Sequence, residues 1–179
     1  FIICAIFLKK QHSYMMNYDM GFNKECLLTA NIPVSSMDER DAFSSELLNN
    51  PNIKEVAWSQ DRMVADSRMT WGRNHHGEQM MLTVMPVSWN FLQVMGIEVV
   101  EGRDFLPSDE KGDGAIILNE YAKNKYNLNL EEVIEWNGTP FPATGFCRDF
   151  HFKPLHEESD AFAFYIYDSK MLTKYFPTP

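Results

Sequence analysis

Eight consecutive apolar residues, Phe1 to Leu8, open the chain and stop at Lys9-Lys10. Gln11 to Asp19 then follows a helical period, with Tyr14 and Tyr18 four residues apart and Gly21 as a stop. Leu27 to Ile32 has the apolar density of a strand. Ser36 and Glu39 form a capping box for a helix through about Asn49, whose buried face carries Phe43 and Leu47 one turn apart. Asn49-Asn50-Pro51-Asn52 ends that helix, and Lys54 to Ser59 returns as a second strand. Met63 to Gly77 is polar and irregular, which predicts a loop. From Gln79 to Pro86 both alternating sets are apolar (Met81, Thr83 and Met85 against Met80, Leu82 and Val84), which predicts a strand covered on two sides.

Ser88 is the predicted N-cap of a helix over Trp89 to Met95, and Gly96 fits the left-handed position that closes it. Ile97, Val99 and Val100 supply a β-branched strand, and Gly102-Arg103-Asp104 supplies a turn. A charged loop from Pro107 to Gly114 precedes a short buried strand, Ala115 to Leu118. Asn119 caps a helix to about Tyr126. Asn137-Gly138 is a hairpin signal, and Ala143 to Phe152 and Ala161 to Tyr167 are the last strands. A few helices among many strands predict an α+β fold. There is no internal repeat and no low-complexity tract.

As a helix, Phe1 to Leu8 spans roughly 12 Å, against the ~30 Å of a bilayer's hydrocarbon core. Three origins suit such a run: the outer end of a longer transmembrane helix, a buried N-terminal strand, or the tail of a signal peptide. The Lys-Lys-Gln-His that follows lacks the small residues of a cleavage site, which argues against the third. Tyr14 and Tyr18 suit a membrane–water interface, where a ring keeps one wet edge.

With 179 residues the chain has enough length for one domain, or one domain with two lobes. A net charge of −9 argues against a nucleic-acid face, because phosphates demand basic partners, and against a polybasic grip on anionic lipid. Eleven Met and 13 Phe suit an adaptable, aromatic core. Three cysteines, Cys4, Cys26 and Cys147, are too few for a disulfide framework. An oxidising compartment permits Cys26 to pair with Cys147, but nothing in the sequence brings them together; free, buried thiols are the expectation.

The chemistry-bearing patterns yield no catalytic, metal or cofactor prediction. Asp109, Asp113, Gly114 and Glu120 match the spacing of a calcium loop, but Lys111 puts a cation at a ligand position and no helix enters. His75 and His76 are adjacent, so in an extended segment they point apart. Asp149 and His151 share a strand face with His156 nearby, short of the three convergent ligands zinc requires. No nucleophile elbow and no phosphate-binding glycine loop occurs. Glu98 and Glu101, three apart in a strand, face opposite sides and make a poor acid/base pair. Arg103 and Asp149 are expected as structural ion-pair or hydrogen-bond partners.

Three stretches carry a family resemblance in the expected order. They are Asn90-Phe91-Leu92-Gln93-Val94-Met95-Gly96-Ile97-Glu98-Val99-Val100-Glu101-Gly102-Arg103-Asp104-Phe105, then Ile117-Leu118-Asn119-Glu120, then Gly145-Phe146-Cys147-Arg148-Asp149-Phe150. Together they resemble the periplasmic core domain of the macrolide-exporter (MacB) type found in FtsX-like permeases of ABC transporters. Gln11 to Pro33 is similar to the membrane-exit segment and first strand of Bacteroidetes-type members.

The resemblance implies a two-lobed domain. The end of a transmembrane helix and a membrane-exit helix would occupy residues 1–22, the first part of a porter-like β-α-β lobe 23–62, an inserted strand-rich lobe 63–158, and a return strand to the porter-like lobe 159–179. It implies that this lobe is completed by further residues or by a partner chain. Gly96, Glu101, Gly102, Arg103, Phe105, Asn119, Glu120, Gly145, Asp149 and Phe150 would be structural. Met69 and Trp71, on the predicted loop, are the candidate contact for a partner.

The implied function is non-catalytic: an extracytoplasmic domain at the inner membrane, on its periplasmic side, that relays ATP-driven motion. The implied partners are a separate cytoplasmic ATPase subunit, other permease copies, and a periplasmic partner or substrate. A membrane-tethered ligand-binding or sensor module is the alternative. An extracellular hydrolase is a third class, but lacks a catalytic constellation.

Overall fold

Side chains of a strand alternate between the two faces of its sheet, and in this chain both faces are covered by apolar layers. In β4 (Ala115–Asn119), Ile116 and Leu118 enter one core cluster while Ala115 and Ile117 enter the other. In β7 (Phe162–Ile166), Ala163 and Tyr165 join the first cluster and Phe162, Phe164 and Ile166 the second. Both strands are buried throughout, which fits their unbroken runs of apolar residues.

The computed structural model describes residues 2–23, 25–32, 37–63, 70–75, 78–112, 114–130, 133–136, 139–153 and 160–166. Among these, one mixed sheet has seven strands. Besides β4 and β7 they are β1 (Thr70–His75), β2 (Glu78–Pro86), β3 (Val99–Gly102), β5 (Val133–Trp136) and β6 (Thr139–Cys147), in the spatial order β1-β2-β7-β4-β6-β3 with β5 also on β6. β7 runs parallel to β2 and antiparallel to β4, and β4 runs parallel to β6. The short helix α3 (Phe91–Met95) covers one face through Phe91, Leu92 and Met95. The helix α4 (Glu120–Tyr126) covers the other through Ala122, with Leu128 just beyond it. Phe150, Phe152, Phe162 and Phe164 form a connected aromatic stack with ring centres 4.5–5.6 Å apart. Each such buried ring contributes roughly 1.5–3 kcal/mol.

The α+β class, the buried strand at 115 and the helix after Asn119 match the sequence expectations. The hairpin does too: Trp136 pairs with Thr139, leaving two residues between them, though Asn137-Gly138 lie outside the described residues. Several boundaries differ. Residues 70–75 form a strand, not a loop. Met81, on the supposedly covered β2, is 44% exposed. The final stretch of the strand predicted over 143–152 is not in the sheet, because β6 starts four residues earlier and ends at Cys147.

The apolar run and the following polar segment are one continuous helix, α1 (Ile2–Asn17), with Ile2, Ile3, Phe7 and Leu8 exposed. The helix α2 (Met37–Leu48) stands where it was predicted, with Ser36 outside the described residues. The strands expected on either side of it carry no ladder beyond a single bridge, Ser59 to Val87, so the described residues show no β-α-β unit. The segment expected as a return strand to that lobe, β7, lies instead in the middle of the sheet between β2 and β4.

Candidate functional site

The family-motif residues lie along β3, β6 and the β4–α4 junction, from the Gly102–Gly145 pair to Asn119 opposite Cys147. α3 closes as expected at its C-terminus: Gly96 N–H donates to the Gln93 carbonyl at 3.2 Å and Ile97 N–H to that of Leu92 at 2.9 Å. Its start differs. Ser88 does not cap it; Asn90 holds the N-cap position, and its side chain makes no bond to the helix. The Ser88 hydroxyl is committed elsewhere, accepting from Trp58 N–H at 2.9 Å and donating to Asn90 Oδ1 at 2.9 Å.

β3 then meets β6 with Gly102 opposite Gly145. A Cβ on Gly102, whose φ is +77°, would stand 2.4 Å from the Thr144 carbonyl oxygen, and one on Gly145 would stand 2.6 Å from that of Arg103. Both glycines are therefore required by the close approach of two backbones. Arg103, just past the turn, grips Asp109 through two parallel bonds of 2.8 and 2.9 Å. That hydrogen bond outweighs burial and raises the Arg103 pKa. Asp109 also accepts from Leu106 N–H, so the first ligand position of the calcium-like spacing is already occupied by a guanidinium and an amide. Burial raises the Asp104 pKa against the opposing bond from Phe105 N–H and the nearby Arg103 charge. Phe105 is buried in the second cluster.

Asn119 is fully buried and makes three side-chain bonds. Its Oδ1 accepts from Ala122 N–H at 3.1 Å and Phe162 N–H at 2.9 Å, and its amide donates to the Asp160 carbonyl at 3.1 Å. Asp149 Oδ1 accepts from Tyr121 N–H at 2.8 Å, adding a second side-chain acceptor at the start of α4, beside Glu120 in its first turn. Glu101 forms an ion pair with Lys123, and Glu98 with Arg148 at 3.0 Å. Phe150 lies in the aromatic stack. Burial pushes the Cys147 thiol strongly up, so this cysteine is inert core; Cys26 is exposed, and the two are unpaired. Among the described residues no three His, Cys, Asp or Glu side chains converge for a metal.

Trp71, half of the candidate partner contact, is in the core. Trp71 is 3% exposed, with ring centres 4.6 Å from Tyr165 and 5.8 Å from Phe141. It faces the core because β1 pairs along β2, with Gly72 opposite Met81. Met69 lies outside the described residues.

Sequence reasoning missed a strap. Residues 18–23, between α1 and the domain, are bonded at once to Met95 in the first family stretch and to His151 just past the third. His151 N–H donates to the Met20 carbonyl at 2.7 Å, and Asn23 N–H donates to that of Met95 at 2.7 Å. Gly21, with φ +78°, lies so close that a Cβ would be 2.9 Å from both the Asp149 oxygen and Phe150 Cα. The Tyr18 ring meets His151 edge-on at 5.6 Å. Gly21 shows in the sequence as a helix stop; its close approach depends on residues some 130 positions away, which no local pattern reports.

The family model of the MacB-like periplasmic core domain matches residues 10–173. The periplasmic region of MacB from Actinobacillus actinomycetemcomitans is similar, with 15% identity, TM-score 0.50, and 76% of this chain and 57% of that one covered. The extracellular domain of the noncanonic ABC-type transporter YknZ from Gram-positive bacteria aligns over 62% of this chain and 55% of its own, at 18% identity and TM-score 0.45. A domain of a putative permease protein from Porphyromonas gingivalis aligns over 65% and 51%, at 10% identity and TM-score 0.41. The chain thus spans a little over half of each of these solved domains. No curated protein matches it. With the family model covering nearly the whole length, the chain belongs to the MacB-like periplasmic core domain family.

Proposed function

We propose that this domain is the extracytoplasmic part of an ABC transporter permease subunit of the FtsX-like type, and that it works mechanically and catalyses nothing. It sits on the periplasmic side of the inner membrane. A separate cytoplasmic ATPase moves the membrane helices, and the domain passes that motion to other permease copies and to a periplasmic partner or substrate. No described helix is long and apolar enough to cross a membrane; in this reading the exposed apolar half of α1 is where the chain meets the bilayer.

The observation that carries the proposal is the strap. A relay needs its input helix tied to the rigid body, and Met20, Gly21 and Asn23 tie α1 to the two backbones that end α3 and β6. Spin labels at the exposed Lys111 of two permease copies test it in the complete transporter. ATP binding changes their separation, and Gly21→Ala, which forces a Cβ against the Asp149 backbone, reduces that change by at least about half. An ATP-insensitive separation in the unmodified transporter overturns the relay. A complete gene product with one apolar span of ~20 residues favours the tethered sensor instead.

A further inference from the structure

We propose that residues 37–58 are a hinged flap that opens as one body from the corner formed by residues 86–90, while the sheet stays closed. The inference concerns the domain's own architecture and does not depend on the transport reading.

Two observations make the flap one body. The Phe43 ring meets Trp58 edge-on at 6.1 Å, and the Trp58 indole N–H donates to Ser44 Oγ at 2.8 Å, so α2 is fastened to the segment that follows it. A third makes it separable: no described residue before Met63 is fully buried, so both core clusters are complete without it. The described apolar contact between the flap and the core is the half-buried Ala57.

What holds the flap down is polar. Trp58 and Ser88 exchange two bonds, Trp58 N–H to Ser88 Oγ and Ser88 N–H to the Trp58 carbonyl, each 2.9 Å. The Asn90 amide donates to the Val56 carbonyl at 3.0 Å. Arg40 pairs with Glu110 at 3.3 Å, and the other oxygen of Glu110 accepts from Trp89 N–H at 3.2 Å. Each of these groups exchanges its protein partner for water when the flap lifts, so opening exposes little apolar surface. Opening the sheet, in contrast, exposes the aromatic stack. Ser59 and Gln60, bridged to Val87 and bonded to the Pro86 carbonyl, stay behind as the hinge. Such a split, a weakly held polar seam beside a strongly apolar core, is the condition for sub-global opening.

Native-state hydrogen exchange on the 179-residue chain, across urea concentrations below the unfolding transition, tests this. The amides of α2, Trp58 and Ser88 are expected to exchange through one common opening with little urea dependence. Their protection should be about 100-fold or more below that of β4 and β7. Glu110→Gln keeps the shape and the acceptor for Trp89 but removes the charge facing Arg40. It should speed exchange across the flap about two- to fivefold and leave β4 and β7 unchanged. Ser88→Ala should act in the same direction. Equal protection of flap and sheet overturns the proposal, as do independent opening of α2 and Trp58, no protection in the flap at all, or an equal effect of Glu110→Gln on β4 and β7.

Discussion

Trp71 shows how much one side chain's setting decides. Nothing around it in Arg68-Met69-Thr70-Trp71-Gly72-Arg73 has a period, so the sequence suggests an exposed aromatic. The pairing of β1 with β2 turns it inward against Phe141 and Tyr165. Trp71→Ala is therefore expected to cost about 3–5 kcal/mol, measured by urea unfolding; an unchanged midpoint would put the ring outside the core.

Asp160 is a second case. Burial alone would raise its pKa, but the Ala161 N–H and the Lys125 ammonium at 3.1 Å outweigh this and hold it below the ordinary 3.8. A carboxyl with a lowered folded pKa stabilises above that range, and its contribution is lost as pH falls through the folded value. Asp160→Asn should thus lower the Tm at pH 7, with the gap to wild type closing as pH drops below about 3.8. A gap that stays constant in acid would show that the charge contributes nothing. Asn119, unlike these two, is legible in sequence, because its bond to Ala122 spans three residues and follows the local rule for an N-cap.

Elements whose signals are local are placed correctly: α2, α4, β4, the β5–β6 hairpin and the glycine closure of α3. Strands fail where their existence depends on a neighbour. Leu27 to Ile32 and Lys54 to Ser59 have suitable composition, but a strand requires a partner edge, and only Ser59 has a bridge. The Ser88 cap fails for a related reason, since a hydroxyl that satisfies local geometry was taken by Trp58, thirty residues away. At the β3–β6 contact the glycines are visible in sequence, but not that they face each other. Gly102→Ala puts a methyl group 2.4 Å from a carbonyl oxygen at a positive φ, and should destabilise the domain by about 3 kcal/mol. Thermal unfolding of this variant within a degree of wild type would mean that the two backbones separate without cost.

On the scale of the whole molecule, class and family are legible and topology is not. The α+β class follows from the mixture of elements, and the order of three short stretches points to the family that the family model identifies. Which strand neighbours which is a matter of long-range pairing. β2 and β7 lie side by side although some 75 residues separate them, and no periodicity encodes that. The strap is hidden in the same way, because its bonds join residues 20–23 to residues 95 and 151.

The central place of β7 also has a consequence in time. A chain made from its N-terminus presents β1 and β2 early and β4, β5 and β6 later, but these two groups have no common edge until Phe162–Ile166 arrives to join them. Until then the flanks of β2 and β4 that β7 will cover are open to wrong partners, and the aromatic stack lacks Phe162 and Phe164. The two halves of the sheet are therefore joined late, by a strand of five residues, and the edges it covers are open to aggregation until it arrives.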